Sequence, residues 1–316
     1  MNADTLKAKL DKAQYIYDDS LITTLLVALK LGRPLLIEGA AGVGKTEIAK
    51  VMATALDREL VRLQCYEGLD ESKALYEWNY QKQLLSIQIN MNHQSPDELT
   101  TSLFSDSYLL ERPLLRSIRS EKPVVLLIDE IDKADEEFEA FLLELLAELQ
   151  VTIPEFGSIR AKTTPFVVLT SNRSRPLSEA LRRRCAYLYI QYPDIAKEVA
   201  IIRAKCPHVN EHLAAQVAQA IHDLRDNDAI LKKPSIAETL DWVSALEALG
   251  ISDLTPEAMD MTKGFVLKNS EDFALLSQGN CSHHHHGHTC SAHGQTCSCQ
   301  HNEPDEADKL QRIKEV

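Results

Sequence analysis

The sequence predicts an α/β fold in which a parallel five-stranded sheet is followed by a small all-helical domain. Five short apolar segments have the length and composition of buried strands, and helical patterns separate them. Strands that alternate with helices are typical of a parallel sheet covered on both faces. After Pro193 only helical periodicity remains. The two observations together predict a domain boundary near residues 192–194.

Each element has its own signal in the sequence. Residues 1–31 have helical spacing, helical sequence follows at 45–56, and apolar residues on one face predict a strong helix over 135–150. The five predicted strands are RPLLIEG (33–39), ELVRLQC (59–65), PVVLLIDE (123–130), PFVVLTSN (165–172) and CAYLYIQ (185–191). Residues 90–107 are polar and predict a loop. Three further helices are predicted at 213–224, 236–249 and 255–268.

These elements predict three parts of the chain. An α/β domain covers residues 1–192, and a helical lid covers residues 193–276. A tail over residues 277–316 lacks apolar periodicity, and we expect it to be disordered without a ligand.

The composition excludes several classes of protein. The chain has 316 residues, of which 44% are hydrophobic and 26% charged, as in ordinary globular proteins. The formal net charge of -13 argues against broad binding to nucleic acid or to anionic membranes. No apolar run is long enough to predict a membrane span, and the start MNADTLKAKLDKAQ lacks the apolar stretch of a signal peptide. Cys65, Cys185 and Cys206 stand alone, which favours reduced thiols and a cytoplasmic protein.

The segment GAAGVGKT, residues 39–46, fits the pattern G-x-x-x-x-G-K-[ST] between a predicted strand and a predicted helix. Its glycines let backbone N–H groups point at phosphate oxygens. Lys45 can reach the outer phosphates, and the Thr46 hydroxyl can hold magnesium. The following helix directs its N-terminus at the phosphates. The predicted phosphate-binding residues are Gly39, Ala40, Ala41, Gly42, Val43, Gly44, Lys45 and Thr46.

Polar residues follow two of the predicted strands at the edge where parallel sheets bind ligands. Asp129 ends one strand and is placed to hold magnesium through water, and Glu130 can orient or deprotonate an attacking water. Asn172 ends the next strand and can contact the γ-phosphate or the same water. The alternative is that the acids are solvated strand ends and Asn172 a turn residue.

Three adjacent arginines, Arg182, Arg183 and Arg184, precede the last predicted strand. Across a subunit boundary, one of them could act as an arginine finger on a neighbour's γ-phosphate. The alternative is that they are surface arginines paired with nearby acids.

The order of these motifs resembles that of AAA+ ATPases, and finer features resemble the MoxR family. The segment LQCYEGLDESKALYEWNYQKQLLSIQ stands where that family carries an insertion in its second helix. The segment LLELLAELQVTIPEFGSIRAKTTPFVVLTSN resembles the hairpin that precedes its sensor 1. YEWNYQKQLL and PSIAETLDWVSALEALG are most similar to the subgroup typified by the accessory ATPase of carbon monoxide dehydrogenase. The resemblance covers residues 10–270.

The resemblance implies an ATP-hydrolysing ring, usually a hexamer, with ATP between the subunits. On that model Lys45, Thr46, Asp129 and Glu130 act in cis with Mg²⁺, and Asn172 is sensor 1. Arg184 is the preferred finger and Arg183 the second choice. The family also implies a chaperone or remodelling role, a partner with a von Willebrand A domain, and a client metalloenzyme whose cofactor is installed or activated.

One position departs from the family pattern. Many relatives carry a sensor 2 arginine in the lid, where this chain has Ala237. Lys232 and Lys233 are the candidates to replace it, and the alternative is that the lid senses ATP only weakly.

The segment CSHHHHGHTCSAHGQTCSCQH, residues 281–301, has the composition of a binding segment for Zn²⁺, Ni²⁺ or Cu⁺. It lacks the paired C-x-x-C units of a fixed zinc fold, so we interpret it as a flexible sink or donor of several ions. A purification tag and a merely solvated tail are the alternatives. The candidate ligands are Cys281, His283, His284, His285, His286, His288, Cys290, His293, Cys297, Cys299 and His301.

Three functional hypotheses follow. The first is an ATPase of MoxR type that remodels a client enzyme during maturation, with metal handled by the tail. The second is a metal-delivery NTPase that acts as a timer, although no Asn-Lys-x-Asp guanine-selecting motif is present. The third is a nucleic-acid motor of AAA+ type, against which the acidic balance and the lack of an aromatic platform argue.

Overall fold

The central sheet has five parallel strands, which confirms the predicted fold class. The structure is a computed structural model that describes residues 1–90, 102–154 and 156–273. The sheet strands are β1 (Leu35–Gly39), β2 (Leu60–Gln64), β5 (Val125–Asp129), β8 (Phe166–Ser171) and β9 (Ala186–Ile190). They lie in the order β2-β5-β8-β1-β9. All four neighbouring pairs are parallel, so β2 and β9 are the edges.

Helices cover both faces of this sheet, and alternate side chains of its strands therefore pack into two different cores. Leu35 and Ile37 pack with the first three helices, whereas Leu36 packs with the helices of the opposite face. The helices before the lid are α1 (Ala3–Lys12), α2 (Asp19–Leu31), α3 (Lys45–Leu56), α4 (Glu71–Leu75), α5 (Tyr80–Asn90), α6 (Pro113–Arg119), α7 (Glu136–Glu148) and α8 (Glu179–Arg184). The helical pattern predicted over residues 1–31 corresponds to two helices, α1 and α2. Gln14 separates them with a positive φ of 53°, and Asp18 caps the start of α2.

Two short antiparallel pairs extend from the α/β layers. Strand β3 (Tyr76–Trp78) lies within the predicted insertion and pairs beside α4 with β4 (Leu109–Glu111), which follows the insertion. Strands β6 (Gln150–Ile153) and β7 (Gly157–Arg160) form a hairpin where the family pattern predicts one. Most of the predicted loop at 90–107 falls on residues 91–101, outside the described residues.

Helix α5 buries a polar side chain and exposes several apolar ones. Gln83 is buried and donates to the backbone carbonyl of Leu103 at 2.7 Å. Four large apolar side chains of the same helix are instead exposed: Tyr80, Leu84, Leu85 and Ile89. The helix therefore presents an apolar surface to its surroundings.

Beyond Pro193 the described residues are helical and share a core of their own. The helices are α9 (Ile195–Lys205), α10 (Glu211–Asp226), α11 (Ile236–Ala248) and α12 (Pro256–Val266). Helix α9 has no counterpart among the helices predicted from the sequence. Arg225 and Glu198 form a buried ion pair that joins α10 to α9. Within the described residues, no helix is both long and apolar enough to cross a membrane.

Candidate nucleotide site

The glycine-rich loop joins β1 to α3, as its motif predicts. Gly42 and Gly44 have positive φ angles of 73° and 90°, which only glycine adopts without strain. A Cβ at Gly42 would lie 2.3 Å from the Cβ of Ser235, and a Cβ at Gly39 would lie 2.3 Å from the carbonyl oxygen of Ile190. The loop is therefore enclosed by β9 on one side and by the start of α11 on the other.

Lys45 begins α3, and its ammonium group is held inside the loop. Its Nζ donates to the backbone carbonyls of Gly39 and Ala40, at 2.9 and 2.6 Å, and to Asn172 Oδ1 at 2.7 Å. Burial lowers the pKa of Lys45, and the nearby acids offset part of that effect. A desolvated cation in a loop of this kind favours an anionic ligand.

Asp129, at the end of β5, faces Thr46 across the sheet edge. Thr46 Oγ donates to Asp129 Oδ1 at 3.0 Å, and Thr170 Oγ donates to the same oxygen at 2.5 Å. The backbone N–H of Glu130 donates to the Thr170 hydroxyl at 2.9 Å. Glu130 has a positive φ of 55°, in the left-handed region that residues other than glycine rarely adopt.

Asn172 connects the loop to the acidic strand. Its side chain accepts from Lys45 and donates to Glu130 Oε1 at 3.2 Å, while its backbone N–H donates to Asp132 at 3.1 Å. Burial would by itself raise the pKa of Asp132, but hydrogen bonds from Ser174 and from Asn172 outweigh burial and lower it. The buried carboxylate of Asp132 therefore fixes the turn that presents Asn172.

Two residues that the sequence analysis missed complete this set. Arg62 and Gln64 project from β2, and Arg62 Nη2 donates to Asp129 Oδ2 and to Gln64 Oε1, each at 2.5 Å. Gln64 Nε2 donates to Glu130 Oε2 at 3.0 Å. Because residues two apart lie on one face of a strand, the spacing Arg-x-Gln at a strand end was a usable signal.

The site opens on two adjoining cavities. A cavity of about 260 Å³ is lined by the glycine-rich loop and by the predicted acids and Asn172. A second cavity, of about 380 Å³, is lined mainly by apolar residues of the N-terminal segment, the end of β9 and the lid. Both share Gly42, Gly44, Glu47 and Ala237. Their sizes and linings suit a triphosphate next to an apolar ring system.

The lid contacts the glycine-rich loop through its backbone. The N–H of Ile236 donates to the carbonyl oxygen of Gly42 at 3.2 Å, and Ala237 lines both cavities. Lys232 pairs with Glu238 at 3.3 Å, and Lys233 donates to the carbonyl of Asn227. Neither lysine lines either cavity, so the structure does not place them where sensor 2 is expected.

The three arginines make different contacts, and none lines either cavity of the site. Arg182 lies 3.6 Å from Glu38 and stacks over Tyr187. Arg183 pairs with Glu179 on its own helix. Arg184 is exposed and donates from Nη1 to the backbone carbonyl of Leu143 at 2.7 Å.

The residues present fit a nucleotide with magnesium. The positive-φ glycines, the desolvated Lys45 and the N-terminus of α3 are suited to phosphate. The oxygens of Thr46 and Asp129 are of the type that Mg²⁺ prefers. Within the described residues, no group of three or more His, Cys, Asp or Glu side chains could by itself hold a metal ion. The predicted tail ligands lie outside the described residues.

Comparisons with known proteins agree with this geometry. Residues 34–185 match the model of the AAA domain, dynein-related subfamily. An uncharacterised protein of Staphylococcus haemolyticus is 25% identical over 253 residues, covering 77% of this chain and 86% of that protein. The uncharacterised protein YehL of Escherichia coli is 25% identical over 297 residues, covering 83% of this chain and 76% of YehL.

Two further similarities come from larger or more distant proteins. Midasin of Giardia intestinalis is 26% identical over 265 residues, which are 75% of this chain and 5% of midasin. The RuvB Holliday junction branch migration motor of Thermotoga maritima has a TM-score of 0.43 at 18% identity, covering 84% of this chain and 69% of RuvB. The matched residues contain the loop, both acids and Asn172, so this chain carries an ATP-hydrolysing AAA domain of the dynein-related type.

Proposed function

We propose that this ATPase works as a ring of MoxR type that remodels a client metalloenzyme during its maturation. The observation that carries the proposal is a continuous hydrogen-bonded path from Lys45 through Asn172 to Glu130. The path links the group expected on the outer phosphates to the acid expected to act on water. It is consistent with hydrolysis that is coupled to movement.

In this proposal each residue has a separate task. Lys45 and the loop N–H groups hold the outer phosphates, and Asn172 reports their state to Glu130. Glu130 orients the attacking water and accepts its proton. Thr46 and Asp129 would hold the magnesium ion, which when bound neutralises charge on the phosphate oxygens. The apolar cavity beside Gly42 would take the base of ATP.

Arg184 remains the preferred finger for a neighbouring subunit. Within the described residues its guanidinium group hydrogen-bonds one backbone carbonyl and pairs with no acid, so leaving that contact strands no carboxylate. Arg182 is held between Glu38 and Tyr187, and Arg183 is paired with Glu179. AAA+ ATPases commonly assemble as rings, and a hexamer is the proposed form.

The client role is supported by the family resemblance and by the exposed apolar surface of α5. Three of its four side chains come from the insertion, and none of the four lines either cavity of the site. A partner with a von Willebrand A domain, a cytoplasmic location, and metal capture by residues 281–301 belong to the same proposal.

Glu130→Gln tests the proposal, because it keeps the size and most contacts of the side chain but removes its basicity. We expect ATP to bind with affinity close to wild type and turnover to fall by about 100-fold or more. The variant should therefore retain its client, which pull-down followed by mass spectrometry and metal analysis identifies, with and without residues 281–301. Glu130→Asp is the matched control that keeps a carboxylate.

The possible outcomes separate the parts of the proposal. Turnover close to wild type in Glu130→Gln would contradict the role of Glu130. Client metallation that is unchanged without residues 281–301 at limiting metal would remove the tail from the proposal. Stimulation of turnover by DNA, or strong selectivity for GTP, would favour the motor or the timer hypothesis instead.

A further inference from the structure

Arg62 makes the one ion pair that Asp129 forms within the described residues. Its Nη2 lies 2.5 Å from Asp129 Oδ2, and it comes from β2 at the edge of the sheet. The side chain of Asp129 is 4% exposed, whereas that of Arg62 is 51% exposed. A nearly buried carboxylate is thus neutralised by a guanidinium group that stays half in water.

The other hydrogen-bond partners of Asp129 are neutral. The hydroxyls of Thr46 and Thr170 both donate to Oδ1, on the other side of the carboxylate from Arg62. Lys45 donates to two backbone carbonyls and to Asn172 instead. Arg62 is therefore the one cationic partner of the buried Asp129 carboxylate among the described residues, and a buried charge that loses its partner is strongly destabilising.

We propose that Arg62 is a built-in counterion, which occupies Asp129 while magnesium is absent and competes with the metal for that carboxylate. The inference rests on the proposed function, in which Asp129 and Thr46 hold magnesium. Two cations that share one carboxylate repel each other, and the repulsion grows as water is excluded. Arg62 therefore lowers the affinity of the site for the metal.

The position of Arg62 allows its guanidinium group to leave Asp129 when the metal binds. It lies on an edge strand, its side chain is half exposed, and an ion pair with one exposed partner is partly screened by solvent. The metal thus displaces a cation that can move into water. By contrast, Thr170 stays fixed on Oδ1 because it also accepts from the backbone N–H of Glu130.

The test measures binding of Mn²⁺, a spectroscopic probe for Mg²⁺, to the full-length protein by electron paramagnetic resonance. Titrations with and without saturating ADP are compared, which removes metal bound elsewhere in the chain, after a protein-free titration has been subtracted because ADP itself binds Mn²⁺. Arg62→Met keeps the apolar part of the side chain and removes the charge. We expect its dissociation constant for Mn²⁺ to be about tenfold lower than that of wild type.

Two control variants separate charge from general effects. Arg62→Lys keeps the positive charge and should bind Mn²⁺ within about threefold of wild type. Arg116→Met removes another half-exposed arginine, which pairs with Glu59 just before β2, and should leave the affinity unchanged. In EDTA, Arg62→Met should melt at a lower temperature than Arg116→Met, and Mg²⁺ with ADP should narrow the difference.

One outcome would contradict the counterion role alone, and another would also contradict the magnesium assignment on which it rests. A dissociation constant for Arg62→Met that is equal to or higher than that of wild type would overturn the counterion role, since a residue that only positions Asp129 would weaken binding when removed. If wild type shows no ADP-dependent Mn²⁺ binding, the magnesium assignment fails and the counterion role fails with it.

Discussion

Two groups of buried charges in this molecule differ in how completely they are paired. In the lid, Arg225 donates to both carboxylate oxygens of Glu198, at 2.5 and 2.9 Å, and also to the carbonyl of Pro234. Thr239 donates to Glu198 as well. At the nucleotide site, by contrast, the charges border a cavity and burial lowers the pKa of Lys45. The lid group is complete without a ligand, whereas the site group is arranged for one.

The difference indicates that the lid group contributes to stability and the site group to ligand binding. A fully paired buried group holds elements together, and its loss exposes no site. A group that borders a cavity retains unfavourable desolvation that a ligand of opposite charge can relieve. Variants in the two groups should therefore change different measurements, and three substitutions probe that separation.

The largest effect is expected for Arg225→Met, which leaves Glu198 buried without its cation. We expect the free energy of unfolding to fall by about 3–5 kcal/mol, because an uncompensated buried charge remains. Denaturant titration followed by circular dichroism measures this loss. Arg203→Met, which removes an exposed arginine paired with Glu211 at 3.4 Å, should cost about 0.5 kcal/mol or less. Equal losses in both variants would contradict the special status of the buried pair.

The next effect is expected for Lys45→Met, in activity rather than in stability. Turnover of ATP should fall by about 100-fold or more, since a preorganised charge on the phosphates is lost. The melting temperature should stay within about 3 °C of wild type, because a desolvated cation is removed along with its contacts. Lys73→Met, at an exposed ion pair with Asp70, is the control for both measurements. A large loss of stability in Lys45→Met would mean that the site group also holds the fold.

The smallest effect is expected for Ile236→Pro, in the lid segment that contacts the glycine-rich loop. Ile236 is the first residue of α11, where proline is tolerated, so the change removes the N–H that donates to Gly42 and keeps the helix. Nucleotide affinity should weaken by about fivefold, as for the loss of one hydrogen bond. Ile236→Ala keeps the N–H and removes the apolar side chain. If Ile236→Ala weakens binding as much as Ile236→Pro, the side chain and not the backbone carries the contact.

The strands and the site motifs were predictable because they have local signals. β5 and β8 are continuous apolar runs, and the loop before Lys45 has a fixed pattern of glycines. Helix α9, with the sequence IAKEVAIIRAK, was missed because it begins only four residues after the last strand. The role proposed for Arg62 depends on β2 lying next to β5. No local sequence pattern predicts the order of strands in a sheet.

The contact between lid and loop also depended on tertiary structure. Ala237 was expected where relatives place an arginine, but the backbone bond from Ile236 to Gly42 has no sequence signal. The assignment of the finger likewise stays a prediction, because the three arginines are adjacent and a single subunit shows only their contacts within one chain. The metal-binding prediction for residues 281–301 falls outside the described residues.

The close approach of Gly42 to Ser235 has a consequence for protein engineering. A methyl group at position 42 would collide with Ser235, whereas Gly44 has open space around it. The two glycines of the loop therefore tolerate replacement differently, although both have positive φ. A transplanted loop with a residue larger than glycine at position 42 would collide with Ser235 unless the lid turn at 234–236 changed with it. In a combinatorial library, positions 42 and 235 should be randomised as one unit.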